Sequence, residues 1–307
     1  MALNQTNKLV WIVETIYKAR KITFDDLNRK WMENIDLSGG EEMLKRTFHK
    51  WKLSIFDTFG LVIECEKVAP YRYYIFNAED IKNGSIESWL LSMFAVSNSL
   101  IESRSIKDRI ILEEVPSGRD YLDPIIDAMK KDRFIHITYY NYWKGETKDH
   151  YLMPLCVKLF RQRWYMVGRT WPAMNDTVFC LDRIRDFRIS SHSFEYPADF
   201  NAQEFFEGRF GIITDKNCNV QDVVLKVSSG QANYLRDLPL MQGEDQQEIE
   251  HNANHSIFRL RVRPTFDFQQ ELLWNRDELE VLEPQWLRKE VADTIKRMWN
   301  KYKEDQQ

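Results

Sequence analysis

The chain has 307 residues, 43% hydrophobic and 29% charged, with 43 lysines and arginines against 47 aspartates and glutamates for a net charge of -4. That length is too great for one small core and fits two or three domains of ordinary soluble composition. No apolar run approaches the roughly 18 residues of a membrane span, and residues 1–8 are polar, without the apolar stretch of a signal peptide. The expectation is a cytoplasmic protein. Its four cysteines (Cys65, Cys156, Cys180, Cys218) are widely spread and read as buried thiols, not as a disulfide framework or a zinc site.

Residues 7–19 carry Leu9, Val10, Ile12, Val13 and Ile16 at helical spacing. Thr23 is placed to cap a second helix, with Asp25 and Asp26 in its first turn and Phe24, Leu27 and Trp31 as its apolar stripe. Ser38-Gly39-Gly40 breaks the chain. A third helix is predicted over residues 41–56, burying Met43, Leu44, Thr47, Phe48, Trp51 and Ile55 and leaving Lys45, Arg46, His49, Lys50 and Lys52 as its polar, basic remainder. After Gly60, residues 61–63 and 73–76 read as two strands of a hairpin that carries Lys67, Tyr71 and Arg72. Three helices and a hairpin follow the order of a winged helix-turn-helix over residues 1–77.

Residues 78–129 hold 5 basic and 10 acidic residues and are helical by pattern, with Trp89, Leu90, Met93, Phe94 and Val96, then residues 106–115, as apolar positions. This connector offers either a dimer contact or plain intrachain core. Pro116-Ser117-Gly118 interrupts it, and a further helix starts over residues 122–129.

The charge balance then reverses. Residues 130–189 hold 12 basic and 6 acidic residues, which marks a local site for an anionic partner. Strands are predicted over residues 134–140, 150–153, 155–160 and 164–167, with Pro154 at an edge or bend and Trp143-Lys144-Gly145-Glu146 as a turn. Pro172 and Asn175-Asp176 make a turn before a short run over residues 178–181. Residues 190–213 alternate aromatic side chains with turn formers, as a linker that packs on something does. Beyond them, strands at 223–227, 257–262 and 280–282 alternate with helices at 231–238, 266–274 and 284–302, which predicts a small α+β domain.

Trp164-Tyr165-Met166, Ile137-Thr138-Tyr139, Pro154 and Leu181-Asp182-Arg183-Ile184 together resemble the WYL domain, with Met166 where the family carries leucine. The swap conserves volume. Cys180 stands where many relatives have arginine, which leaves the pocket one charge short. The resemblance implies an α+β multidomain regulator: a winged helix-turn-helix at 1–77, a helical connector at 78–129, a small SH3/Sm-like β-barrel at 130–192, a linker at 193–220 and a C-terminal α+β extension at 221–307. It also implies that the third helix enters the major groove of double-stranded DNA, and Arg46-Thr47 matches a pair common in the family; Phe48-His49-Lys50 then departs from the acidic residue many relatives carry.

The candidate DNA-binding residues are therefore Lys45, Arg46, Thr47, His49, Lys50, Lys52 and Arg72. Tyr139, His150, Lys158, Arg161, Arg163, Arg169 and Arg183 lie in segments that a barrel would gather into one cup. Guanidinium forks bind phosphate and aromatic rings stack on bases, so the implied effector is a nucleotide or a nucleic-acid fragment. Trp164 reads as core more readily than as a ligand platform. Asp182 is placed to orient Arg183.

No GxSxG, Walker glycine loop, HExxH or GxGxxG is present, and no cofactor or metal is expected. His251 and His255 are spaced i, i+4, but Asn252 and Asn254 between them favour a hairpin tip. The expectation is a non-enzymatic, ligand-responsive transcription regulator acting as a homodimer. Its rivals are an RNA- or single-strand-binding accessory protein that uses the barrel itself, and a nucleotide-processing enzyme.

Overall fold

The computed structural model of the chain describes residues 2–81, 89–90, 92–93, 96–97, 108–111, 113, 118–215 and 217–303. It divides into two compact units, Met1–Glu113 and Glu114–Gln307. Of the connector's apolar positions, Phe94, Ile106, Leu112 and Val115 lie outside the described residues, while Trp89, Met93, Val96 and Ile111 are exposed.

In the first unit, helices α1 (Ala2–Ala19), α2 (Phe24–Glu33), α3 (Ile35–Ser38) and α4 (Lys45–Phe59) precede the antiparallel strands β1 (Ile63–Cys65) and β2 (Tyr73–Ile75). A backbone bridge between Ile22 and Tyr73 adds the segment before α2 to that hairpin. Thr23 caps α2 by accepting from the Asp26 N–H at 3.1 Å. α3 was not among the expected helices; Asn34 caps it, and Gly39 ends it at φ +66, a left-handed conformation that costs glycine nothing. The chain is extended at Leu44, so α4 starts at Lys45, four residues later than predicted, and Leu44 stays exposed. Leu27, Phe48 and Ile55 are fully buried, each contributing about 1.5–3 kcal/mol of apolar burial. Trp11, Trp31 and Trp51 pack in series at 5.4 and 5.3 Å.

The second unit begins with α5 (Arg119–Lys130), then a five-stranded antiparallel sheet: β3 (Arg133–Asn141), β4 (Glu146–Phe160), β5 (Arg163–Thr170), β6 (Asn175–Cys180) and β7 (Ile184–Ser193), in the order β6-β5-β4-β3-β7. β6 pairs only with β5 and β7 only with β3. The sheet is therefore open by its pairing, and the closed barrel expected over 130–192 is not formed. The single turn of 3-10 helix at Leu181–Arg183, which joins β6 to β7, makes no ladder between those two edges. Pro154 lies on an interior strand, where a bulge between Pro154 and Cys156 removes the need for its missing N–H.

One face of the sheet packs on α5: Ile125 and Ala128 share a core with Ile135, Ile137, Leu152, Met166, Phe179, Leu181 and Ile184. The helix that the pattern placed at the end of the connector is thus part of this core. Gly118, at φ +64 before α5, abuts the Leu181–Asp182 backbone so closely that a Cβ there would collide with the Asp182 nitrogen. On the other face, Phe194, Phe200, Phe205 and Phe206 cover Met153, Leu155 and Val167, so the aromatic segment after β7 packs on the sheet, with α6 (Ala202–Phe206) inside it.

A second sheet follows, formed by β8 (Gln221–Ser228), β9 (Gln246–His251), β10 (His255–Val262) and β11 (Leu279–Glu283) in the order β11-β8-β10-β9. Helices α7 (Ser229–Asp237), α8 (Phe266–Trp274) and α9 (Gln285–Lys303) flank it, burying Leu235, Phe268, Leu272 and Leu287 against Val223, Leu225, Val227, Phe258 and Leu260. β9 was missed because its exposed run, Gln-Gln-Glu-Ile-Glu-His, has almost no apolar side chain; it is an edge strand. His251 and His255 stand on either side of the β9–β10 turn.

Candidate functional site

The seven residues expected to share one cup are distributed over three places. Tyr139, His150 and Arg183 come together. The Tyr139 ring meets Phe179 edge-on at 5.1 Å and His150 at 6.4 Å, and His150 meets Phe179 at 5.1 Å. The Tyr139 hydroxyl accepts from the Cys180 N–H at 3.1 Å and lies within hydrogen-bonding reach of Arg183. Burial pushes the Tyr139 phenol above its ordinary pKa and holds His150 below its own, with Lys148 adding repulsion to the protonated imidazole.

Arg183 leaves the Leu181–Arg183 turn with its guanidinium carbon 4.3 Å from the Tyr142 ring centroid. Among the described residues it has no carboxylate partner, and its Nε is buried with nothing to donate to. Asp182, expected to orient Arg183, instead binds Arg163. The reason is positional: Arg163 opens β5, which pairs with β6 at Tyr165↔Cys180, so its side chain meets the turn that follows Cys180. Cys180 donates its thiol to the same Asp182; burial first, then that carboxylate, pushes the thiol up to about 11. The ion pair removes Arg163 from the free cations at this end of the sheet.

Arg169 is at the opposite end, 7% exposed, donating through Nε to Asp176 Oδ1 at 2.7 Å, through Nη2 to Asp176 Oδ2 at 3.1 Å and through Nη1 to Asp199 at 2.8 Å. These bonds, Asp176 first, raise its pKa. Arg169 and Asp176 face each other directly across β5 and β6, a register that the turn over residues 171–174 imposes. The sequence reading placed a turn here but counted Asn175-Asp176 within it, whereas both lie on β6 and the turn is shorter; Asp199 arrives from a distant loop and had no local signal.

Lys158 and Arg161 face the segment that leads to the second sheet. Lys158 Nζ donates to the Gly211 carbonyl at 2.9 Å and sits 4.1 Å from the Phe206 ring centroid, and burial lowers its pKa. Arg161 pairs with Glu271 on α8. Both are structural cations that hold the two sheets' connecting segment, together with Asp267, which accepts from the Ile212 and Ile213 N–H groups at 2.8 and 2.9 Å.

At the Arg183 end, the sequence reading missed a second cation and two rings. Arg185 lies 5.5 Å from the Tyr140 ring, and Tyr140 meets Tyr142 at 5.5 Å. Tyr142 is 54% exposed. The arrangement offers an unpaired guanidinium for an anion and open ring surface for a planar group.

In the first unit, α4 turns Lys45, Arg46, His49 and Lys50 outward on one arc, while Phe48, Ile55 and Phe59 fill the core. Lys45 lies over Phe24 at 5.6 Å. Lys52 does not share that arc. It lies half-buried over the Tyr73 ring at 5.4 Å with its pKa lowered by burial, and Thr47 is half-buried as well. Arg72 is exposed on the hairpin, 3.8 Å from Glu66; Lys67 and Tyr71 are exposed near it. Among the described residues no three His, Cys, Asp or Glu side chains are grouped to hold a metal ion, and no helix is long and apolar enough to cross a membrane.

Residues 120–189 match the WYL domain and residues 219–299 match the WCX domain. No curated protein matches the chain. Among solved structures, proteasome accessory factor B/C (PafBC) of Arthrobacter aurescens is similar at 19% identity and a TM-score of 0.37, over 94% of this chain and 46% of that one. This chain thus spans less than half the length of PafBC. A CRISPR Cas-related protein is similar at 10% identity and a TM-score of 0.39, over 99% of this chain and 86% of that one. Both likenesses are faint, and the two domain matches define what is present: the chain carries a WYL domain followed by a WCX domain.

Proposed function

We propose that this protein is a ligand-responsive transcription regulator whose N-terminal unit is a winged helix-turn-helix that binds double-stranded DNA and whose WYL domain senses a nucleotide or nucleic-acid fragment. The observation that carries the DNA-binding half is the outward arc of α4. Arg46, His49 and Lys50 stand there without a carboxylate partner among the described residues, on a helix packed against the hairpin that presents Lys67, Tyr71 and Arg72. Unpaired cations beside a hairpin suit a helix in the major groove and a wing on the phosphates. The sensing half is supported by Arg183, which lies over Tyr142 without a carboxylate partner among the described residues and within reach of Tyr139, whose ring meets His150. A homodimer on a palindromic site completes the reading, since a ligand switches DNA binding only by preferring one arrangement of the assembly.

Selection of duplexes from a random pool tests this directly, with recovery of one defined site as the expected result. Arg46→Ala and Lys50→Ala should each weaken binding to that duplex and reduce the salt dependence by about one phosphate contact. A protein that selects no duplex, or that prefers single-stranded RNA and is indifferent to both substitutions, is not this regulator.

A further inference from the structure

The outward arc of α4 does not end with its cations. Leu53 follows Arg46 by seven residues and Phe56 follows His49 by seven, which places each within about 20° of its predecessor around the helix. Leu53 is 68% exposed and Phe56 is 54% exposed. The inner side of the helix is filled by Phe48, Ile55 and Phe59, and neither Leu53 nor Phe56 belongs to that core. One face of α4 therefore begins basic, with Lys45, Arg46, His49 and Lys50, and ends apolar.

What covers the apolar end follows from the charge beside it. Arg46, His49 and Lys50 have no carboxylate partner among the described residues, and Asp57 is the only acidic residue of the helix. A second copy of this face would bury those cations with Asp57 alone to offset them, which is costly. A DNA duplex supplies both complements at once. Its phosphates take the cations, and its major groove carries one apolar group, the 5-methyl of thymine. Arg46 and Leu53 are about 10.5 Å apart along the helix axis, within the roughly 12 Å width of that groove, so one docked helix can place both.

We infer that Leu53, flanked by Phe56, reads thymine through its 5-methyl group and is a specificity-determining residue of the helix. The inference rests on the DNA-binding reading and adds a base identity to it. The methyl group stands on one side of the base pair, so contact with it distinguishes T·A from A·T as well as from both G·C orientations. The cations hold the helix to the duplex whatever its sequence, and the apolar end discriminates.

The test uses the full chain and the duplex it selects from a random pool, with each thymine replaced in turn by uracil, which lacks the methyl group and keeps the hydrogen-bonding groups. At least one position should show a preference for thymine of about fourfold, the worth of one buried methyl group. Leu53→Ala should abolish that preference while binding the uracil duplex as the wild type does. Phe56→Ala should shrink the preference there or at the adjacent pair. Arg46→Ala should weaken both duplexes alike and keep the preference. Leu53 and Phe56 are exposed, and thermal melting confirms that each variant is folded. The inference is overturned if no thymine is preferred over uracil, if the preference survives Leu53→Ala, or if Leu53→Ala weakens both duplexes equally. It is also overturned if Leu53→Ala breaks up a self-associated form in the absence of DNA, since the face is then a protein contact. Recovery of no duplex removes the DNA-binding reading along with this one, whereas a defined duplex indifferent to the methyl group removes this one alone.

Discussion

At one end of the five-stranded sheet, Arg169 is buried among three hydrogen bonds to Asp176 and Asp199. At the other, Arg183 lies over Tyr142 with no carboxylate partner among the described residues and its Nε unpartnered. Both belong to the same basic block of sequence and both were candidates for the same anion. What separates them is the company that the fold provides. A guanidinium whose donors are already engaged by carboxylates must break those bonds to take a phosphate, whereas an unpaired one gains on binding.

The contrast is sharpened by substitution at each end, with the largest effect at the Arg169 end. Arg169→Ala leaves Asp176 half-buried without its partner, and urea unfolding should show a loss of about 2–4 kcal/mol. Asp199 is mostly exposed and rehydrates, which keeps the loss toward the lower figure. Ligand affinity of the folded fraction should be unchanged; a variant that stays stable but binds nucleotide poorly would exchange the roles assigned to the two ends.

Next in size, Arg183→Ala should weaken binding of a nucleotide or short oligonucleotide at least about tenfold, equivalent to ~1.4 kcal/mol, while stability changes by less than about 1 kcal/mol. Equal affinity in wild type and variant would remove Arg183 from the site.

The smallest effect is a pH dependence. Burial, reinforced by Lys148, holds the His150 imidazole below its ordinary pKa, so it favours the neutral form in the free protein. An anion bound nearby favours the protonated form, so binding takes up a proton. Affinity should therefore rise as pH falls through the histidine range, by severalfold at most, and His150→Gln should flatten the profile. Affinity that falls with falling pH would place the ligand's charge elsewhere.

Much of the fold could be read directly from residue patterns. Thr23 with Asp25 and Asp26 marked the start of α2, and residues 266–274 were predicted as the helix that the structure contains. Those signals are local, because a cap or an amphipathic stripe acts within one or two turns. The start of α4 was set too early because Glu41 to Leu44 are compatible with a helix by composition; the Asn28 side chain accepts from the Met43 N–H at 2.7 Å and keeps that segment extended. The candidate site was legible in part. Of the seven residues chosen for one cup, Tyr139 does meet both His150 and Arg183, yet Tyr142, Tyr140 and Arg185 were passed over.

By itself, the sequence determined the helix and strand periodicities, the concentration of cations in residues 130–189 and the motifs that identify the WYL domain, since each of these depends on neighbours along the chain. Only the tertiary structure decided which cations are free. Asp182 chose Arg163 over the adjacent Arg183 because β5 and β6 bring Arg163 to the turn, and Asp199 reached Arg169 across 30 residues of chain. Ion pairing depends on distance in space and on burial, and neither is encoded in spacing along the chain.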